Sequence, residues 1–298
     1  MPNSNIEELL SASIGSGGLN QEQISKILGF RVFGNKSGFL HLENMPIGNV
    51  PLTPASRKFL SKPDDVSEKC ILQAASILGE PIGYVQESNG SIINNFFPHP
   101  SLSRAATSDS YDAELDLHTE NAFHAVLPDF LILLCLRQDP LAEAITYVTS
   151  IDSILEHLSD KEVSFFLTEP YNFLSDYDCN EKNRRLDIGK NQTVLYGDTR
   201  SPFFRFDPQF MVARNQQAQA KLQRLREVAW LARYPVKLRT GDLLIIDNRK
   251  TAHARSQFTA RFDGSDRWIQ RVFAISNQRY YTEKMGRKVR VFDLAAEL

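Results

Sequence analysis

Apolar positions along this chain change period several times, and each change marks an element. Val66, Cys70, Ile71, Ala74, Ile77 and Leu78 repeat at helical spacing over residues 64–79, with Asp64 or Asp65 as cap and Gly79 as stop. That pattern predicts a helix packed outside a sheet. Residues 4–29 read as two small elements around the flexible turn Gly15-Ser16-Gly17-Gly18. Residues 81–98 alternate strands and turns, with Asn89-Gly90 as a hairpin signal. The unbroken apolar run 130–136 predicts a buried strand. Residues 236–238 and 243–246 flank Gly241-Asp242 as strand, turn and strand, which puts His253 just beyond a buried strand. Residues 267–275 form a further strand, on which Arg267, Ile269 and Arg271 share a face by period two.

Two helical insertions are expected, at about 150–169 and 207–232, the second opening with Asp207 as cap and Pro208 at the first helical position. The long polar stretch between them, about 176–202, is a candidate substrate lid. No repeat or interdomain linker interrupts residues 1–298, so a single domain is expected.

Composition narrows the partners more than the fold. With 42% hydrophobic and 23% charged residues, the chain has the balance of an ordinary globular protein. A net charge of −2 offers no electrostatic case for nucleic acid or an anionic membrane, which leaves small molecules as the expected partners. Cys70, Cys135 and Cys179 have neither disulfide-framework nor zinc-ligand spacing, and free thiols fit a reducing cytoplasm. The first residues lack the basic flank and apolar stretch of a signal peptide, and the 130–136 run is too short to span a bilayer. A cytoplasmic location is the resulting expectation.

The candidate chemistry begins at His118-Thr119-Glu120. In an extended segment, residues two apart point to the same side, so His118 and Glu120 can bind one ion while Thr119 faces away. Two imidazoles and one carboxylate on one face of an octahedron suit a non-haem Fe(II) oxygenase, because three positions stay open. A His-x-Glu triplet arises often by chance; its weight here comes from His253 in the Asp247-Asn248-Arg249-Lys250-Thr251-Ala252-His253-Ala254-Arg255 block and from Arg267 and Arg271 beyond it. Two arginines on one strand face are costly to bury unless they meet anions, and a pocket for two carboxylates resolves that cost.

The combination resembles the clavaminate-synthase-like Fe(II)/2-oxoglutarate oxygenases, particularly those hydroxylating free arginine, lysine or asparagine. The resemblance is carried by Leu117-His118-Thr119-Glu120-Asn121-Ala122-Phe123-His124, by Gly241-Asp242-Leu243-Leu244-Ile245-Ile246-Asp247-Asn248 and by the 253–271 stretch, and it covers residues 70 to 275 or so. It implies a mainly β fold with flanking helices, a double-stranded β-helix or distorted jelly roll. It also implies Fe(II) held by His118, Glu120 and His253, with 2-oxoglutarate and O2 as co-substrates. By position, Arg267 and Thr146 match residues that hold the distal carboxylate of 2-oxoglutarate, a task that suits a guanidinium fork and a hydroxyl donor. Arg271 matches the residue for the substrate's α-carboxylate, and the free oxygen of Glu120 can accept from the α-amino group.

Gln86 and Ser108 resemble further substrate contacts, with a plain loop role as the alternative for each. Asp198 matches one acid of a pair that arginine-hydroxylating members carry, but this chain has Asp198-Thr199-Arg200. A single carboxylate suits a compact ammonium better than a planar guanidinium, which shifts the expectation to L-lysine, hydroxylated at C3 or C4. A merely structural Asp198 in a tight turn stays open. So do L-arginine, citrulline, L-asparagine and a carrier-bound residue as substrates. Because Glu120 fills the carboxylate position, no halide site is vacated, and hydroxylation is expected over halogenation. His124 is expected behind the ligands or in the packing, and His41, His99 and His157 lack partners at ligand spacing. The reading from a different class is a non-catalytic metal-binding jelly-roll module, against which the retained Arg267 argues.

Overall fold

The computed structural model describes residues 6–104, 107–175, 178–179, 184–185, 191–286 and 289–293, with only backbone pairing for the two short pieces 178–179 and 184–185. Two sheets face each other as a distorted jelly roll. The larger runs Phe39–Leu42, Leu243–Asp247, Phe130–Arg137, Trp268–Ile275, Glu80–Tyr84, Val291–Phe292, and Asn94–Phe96 also pairs with Trp268–Ile275. The smaller runs Tyr234–Val236, Thr146–Ser150, Thr251–Arg255, Leu115–His118. Strand Leu243–Asp247 lies in the larger sheet and Thr251–Arg255 in the smaller, so the chain crosses between sheets at the turn 248–250.

Alternation explains the layering. Leu131, Leu133 and Cys135 pack between the sheets with Val148, Leu244, Ile246, Ile269 and Phe273. The intervening Phe130, Ile132 and Leu134 face the helices outside the larger sheet. Both faces of that strand are therefore covered, which is why its sequence is an unbroken apolar run. Burial pushes the thiols of Cys70 and Cys135 up to about 12, so both are inert packing groups. The side chain of Cys179 lies outside the described residues.

The helix Val66–Leu78 forms where its period predicted, and it buries Cys70, Ile71, Ala74 and Leu78 against the larger sheet. Its Glu68 accepts a hydrogen bond from Gln270 Nε2 at 2.8 Å, on the outward face of Trp268–Ile275. Helices Ile151–Leu155, Asp160–Thr168 and Gln216–Leu231 cover the outside of the smaller sheet. At the N-terminal end, Ile6–Ser16 and Gln21–Phe33 are the two expected elements, and the first helix runs on through Gly15 and Ser16. No helix among the described residues is long and apolar enough to cross a membrane.

Three local expectations fail. Residues 237–238 form no strand, and Tyr234–Val236 lies in the smaller sheet beside Thr146–Ser150, so it does not pair across the Gly241-Asp242 turn with Leu243–Asp247. Asn89-Gly90 makes a 3₁₀ turn with Asn89 at φ 53°, but its flanking strands do not pair as a hairpin. They lie end to end along one edge of Trp268–Ile275, pairing Ile82 with Phe273 and Phe96 with Ile269, because that strand is 8 residues long and accepts both. The second insertion begins at Gln216, where Asn215 accepts from the Ala218 N–H at 2.8 Å, and not at Asp207. Asp207-Pro208 instead opens a turn into Met211–Val212, whose pairing with Pro170–Phe173 uses the backbone groups a helix would need. Of the expected lid, residues 176–177, 180–183 and 186–190 lie outside the described residues. Its later part forms a strand, Asn191–Thr193, and a hairpin of Leu195–Tyr196 with Phe203–Phe204.

Candidate metal centre and its chambers

His118 ends strand Leu115–His118, and the register sets it directly across from His253 on Thr251–Arg255. The two rings lie 4.4 Å apart, centre to centre. Glu120 Oε2 sits 3.3 Å from His253 Nε2 and 3.8 Å from His118 Nε2, and one donor atom from each residue falls within 4.8 Å of the others. That spacing suits a single divalent ion. His118 Nδ1 donates to the Asp116 carbonyl at 2.8 Å, which commits the tautomer and leaves Nε2 with its lone pair toward the site. Thr119 faces away, as the period requires. Its hydroxyl donates to the Thr251 carbonyl at 3.0 Å and accepts from the Phe206 N–H at 3.1 Å.

Glu120 lies past the strand end, where another group must fix it. Asn248 does so, accepting from the Glu120 N–H at 2.9 Å and donating to the Glu120 and Pro128 carbonyls at 3.0 Å each. Arg271 Nη1 donates to Glu120 Oε1 at 3.1 Å, leaving Oε2 toward the histidines. Burial works against charge throughout this cluster, and the mutual contacts outweigh it at His118 and Glu120 but not at His253. His118 is held up at about 9, against burial, by the hydrogen bond and charge of Glu120 and then by the charge of Asp207. Glu120 is drawn down to about 2, again against burial, by both histidines. His253 is depressed by burial and then by the charge of His118. A cluster that stabilises one carboxylate between two imidazoles in this way is electrostatically ready for a cation in place of the protons.

Two connected chambers open from the triad. The inner is walled by Leu115, Leu131, Leu133 and Ile269 and carries Thr146, Arg267 and Arg255. Arg267 makes no hydrogen bond or ion pair among the described residues, and burial is the main cause depressing its charged form. A cation in an apolar wall calls for an anion. The outer chamber carries Gln86, Ser108, Glu87, Asp207 and Arg271. Arg271 is 4% exposed, lies over the Phe96 and Phe273 rings at 4.5 and 4.3 Å, and also pairs with Glu87.

The structure thus brings together His118, Glu120, His253, Thr146, Arg267, Arg271, Gln86 and Ser108. Asp198 is not among them. Placed by sequence as the reader of the substrate's cation, it sits on the exposed turn of the Leu195–Tyr196 hairpin and pairs with Arg200 at 3.3 Å. The physical reason is local: Gly197 at φ 85° turns the chain outward there, and Asp198 accepts from the Arg200 N–H at 2.9 Å. Sequence reasoning assigned no role to Asp116, Asn248 or Arg255, it expected Gln86-Glu87-Ser88 only as a stretch that could line a cavity mouth, where all three do lie, and it took Asp207 for a helix cap. Signals existed for two of them, since Asp116 is two residues before the candidate ligand His118 and Asn248 ends a motif block.

A family model described as Taurine catabolism dioxygenase TauD, TfdA family matches residues 35–273. The chain belongs to this family. TauD/TfdA dioxygenases work with Fe(II), 2-oxoglutarate and O2, and this chain is one of them. Among similar proteins, an L-asparagine oxygenase of Streptomyces coelicolor is 30% identical over 264 residues, 85% of this chain and 75% of that one. An L-lysine 3-hydroxylase of Catenulispora acidiphila is 28% identical over 285 residues, 93% of this chain and 79% of that one. Among solved structures, asparagine oxygenase with Fe(II), hydroxyasparagine and succinate superposes with a TM-score of 0.80 at 25% identity, covering 97% of this chain and 95% of that one. The non-heme iron oxygenase OrfP with Fe and alpha-ketoglutaric acid gives 0.80 at 25% identity, covering 96% and 90%. The TauD/TfdA donor set of two imidazoles and a carboxylate fits Fe(II) with open positions, and the anion-seeking inner chamber fits a 2-oxo acid beside it.

Proposed function

We propose that this dioxygenase hydroxylates C3 or C4 of a free L-amino acid with a cationic side chain, L-lysine, and that the residues take the following parts. His118, Glu120 and His253 hold Fe(II). Bound together, Fe(II), 2-oxoglutarate and O2 supply the oxidising power for an unactivated C–H bond. Arg267 and Thr146 hold the distal carboxylate of 2-oxoglutarate, and the leucine walls keep water from it. Arg271 takes the α-carboxylate of the amino acid in place of Glu87, while Glu120 Oε1 accepts from the α-ammonium. Gln86 and Ser108 line the path between them.

The observation that carries the substrate class is the presence of both Arg271 and Asp207 on the wall of the outer chamber. Asp207 lies close enough to His118 to help hold its proton, and it is 7% exposed. It takes over the side-chain-reading role that the sequence gave to Asp198. The curated relatives include lysine 3- and 4-hydroxylases, which supports the same class.

The test is to incubate the Fe(II)-loaded enzyme, ascorbate and 2-oxoglutarate with each of the twenty free amino acids. Mass spectrometry should find one added oxygen on lysine, with matching succinate release. Strong preference for arginine or asparagine would overturn the lysine assignment. Absence of coupled succinate release with every amino acid would overturn the free-amino-acid reading itself.

A further inference from the structure

Arg255 lies two residues beyond His253 on one strand, so its side chain leaves the sheet on the same face as that ligand, toward the inner chamber. The register sets it directly opposite Thr146. It is 6% exposed. Its hydrogen bonds all go to neutral acceptors: Ser110 Oγ at 2.8 Å, the Ser256 carbonyl at 3.0 Å and the Ala113 carbonyl at 3.4 Å. Its Nε is buried without a partner. Among the described residues no carboxylate lies within ion-pair distance of it, and the nearby Asp109 is held by Arg57 at 2.6 Å. Arg267 lines the same chamber, equally without a described ion pair.

The Glu120 carboxylate at the chamber's edge is engaged by Arg271 and the histidines, so Arg255 and Arg267 face one chamber without an ion pair to either among the described residues. Like charges in a low-dielectric space repel strongly, and one bound carboxylate relieves both. A 2-oxo acid with no second carboxylate would use its only one at the metal and leave both arginines unmatched. We infer that Arg255 is a second binding residue for the distal carboxylate of 2-oxoglutarate, acting with Arg267 and Thr146, and that it sets selectivity for a dicarboxylic 2-oxo acid.

The inference rests on 2-oxoglutarate being the co-substrate, and calorimetry separates the two. Oxygen-free, Fe(II)-loaded protein is titrated with 2-oxoglutarate and with 2-oxopentanoate, which has the same chain length but lacks the distal carboxylate. Arg255→Met should weaken 2-oxoglutarate binding by about 10- to 100-fold, the range for a lost charge-assisted contact, and leave 2-oxopentanoate unchanged. Arg255→Lys, which keeps the charge and loses the fork, should fall between. Combined with Arg267→Met, the losses should be non-additive, because both groups meet one anion. Unchanged 2-oxoglutarate binding, or equal weakening of both acids, overturns the inference and leaves Arg255 as a strut for the 110–113 loop. Failure of both Arg255 variants to fold overturns it likewise. A wild type that does not discriminate between the acids sinks the co-substrate assignment instead.

Discussion

Asp198 and Asp207 carry the same carboxylate in opposite settings, and the setting decides what each contributes. Asp198 is 54% exposed at its side chain and already paired with Arg200, so screening leaves a further cation little to gain there. Asp207 is 7% exposed on the chamber wall, where a charge-assisted hydrogen bond is worth about 1.5 to 3 kcal/mol. Asp207→Ala should accordingly lower kcat/KM for lysine by about 10- to 150-fold, and Asp198→Ala by less than about 5-fold. Steady-state kinetics with lysine and norleucine checks this: norleucine, lacking the ammonium, should be a poor substrate that loses little further in Asp207→Ala. The reverse ranking of the two variants would return the role to Asp198. The two arginines of the 267–275 strand separate by the same logic. Arg267→Ala should raise KM for 2-oxoglutarate strongly, since removing one partner of a buried charge pair costs about 2 to 5 kcal/mol. Arg271→Ala should chiefly raise KM for the amino acid, and an exchanged pattern would exchange the roles.

At the scale of elements, the sequence was most legible where one period governed a whole segment. The apolar repeat of Val66–Leu78 and the alternation of Arg267, Ile269 and Arg271 each keep one period from end to end of the segment. Legibility was lost where a long-range partner decided. Asn89-Gly90 has hairpin chemistry, but Trp268–Ile275 offered an edge long enough for both flanking strands. Asp207-Pro208 has helix-start chemistry, but Pro170–Phe173 drew the following residues into a strand. The same limit applies to the site: residue types pointed to His118, Glu120 and His253, which the fold does bring together, whereas the group that fixes Glu120 comes from 128 positions away in sequence. Asn248 is fully buried and makes all three of its contacts to backbone. Asn248→Ala should leave those groups unmatched and destabilise the fold by about 2 to 4 kcal/mol. It should also weaken Fe(II) binding by about 10- to 100-fold, the range for lost support of a ligand. Urea denaturation and Fe(II) titration under argon read the two effects; a destabilised variant with unchanged iron affinity would show that Asn248 supports only the fold.

For the whole molecule, the chemistry of the interior fixes how stability responds to acid. His124 is 1% exposed, with the Tyr84 ring edge-on at 4.6 Å and Phe123 beside it. Its Nδ1 accepts from the Val126 N–H at 2.9 Å, so the proton of the neutral ring sits on Nε2, buried without a described partner. Burial lowers His124 from 6.5 to about 4; the Val126 contact and the charge of Asp293 oppose this and do not prevail. The unfolded chain therefore binds a proton below pH 6.5 that the folded protein refuses until about pH 4. Stability is full above the unfolded value and falls through that window, by up to about 3 kcal/mol for a shift of this size. His253 is depressed too, by burial and then by the charge of His118, so in the metal-free protein both imidazoles act in the same direction. Comparison with His124→Gln, whose amide oxygen can still accept from Val126, removes the shared part. Urea midpoints of the metal-free proteins should therefore converge as pH falls from about 7 toward about 4.5, the wild type losing stability faster than the variant. Parallel loss in both proteins would mean that His124 is protonated in the folded state, and that its buried Nε2 finds an acceptor on acidification.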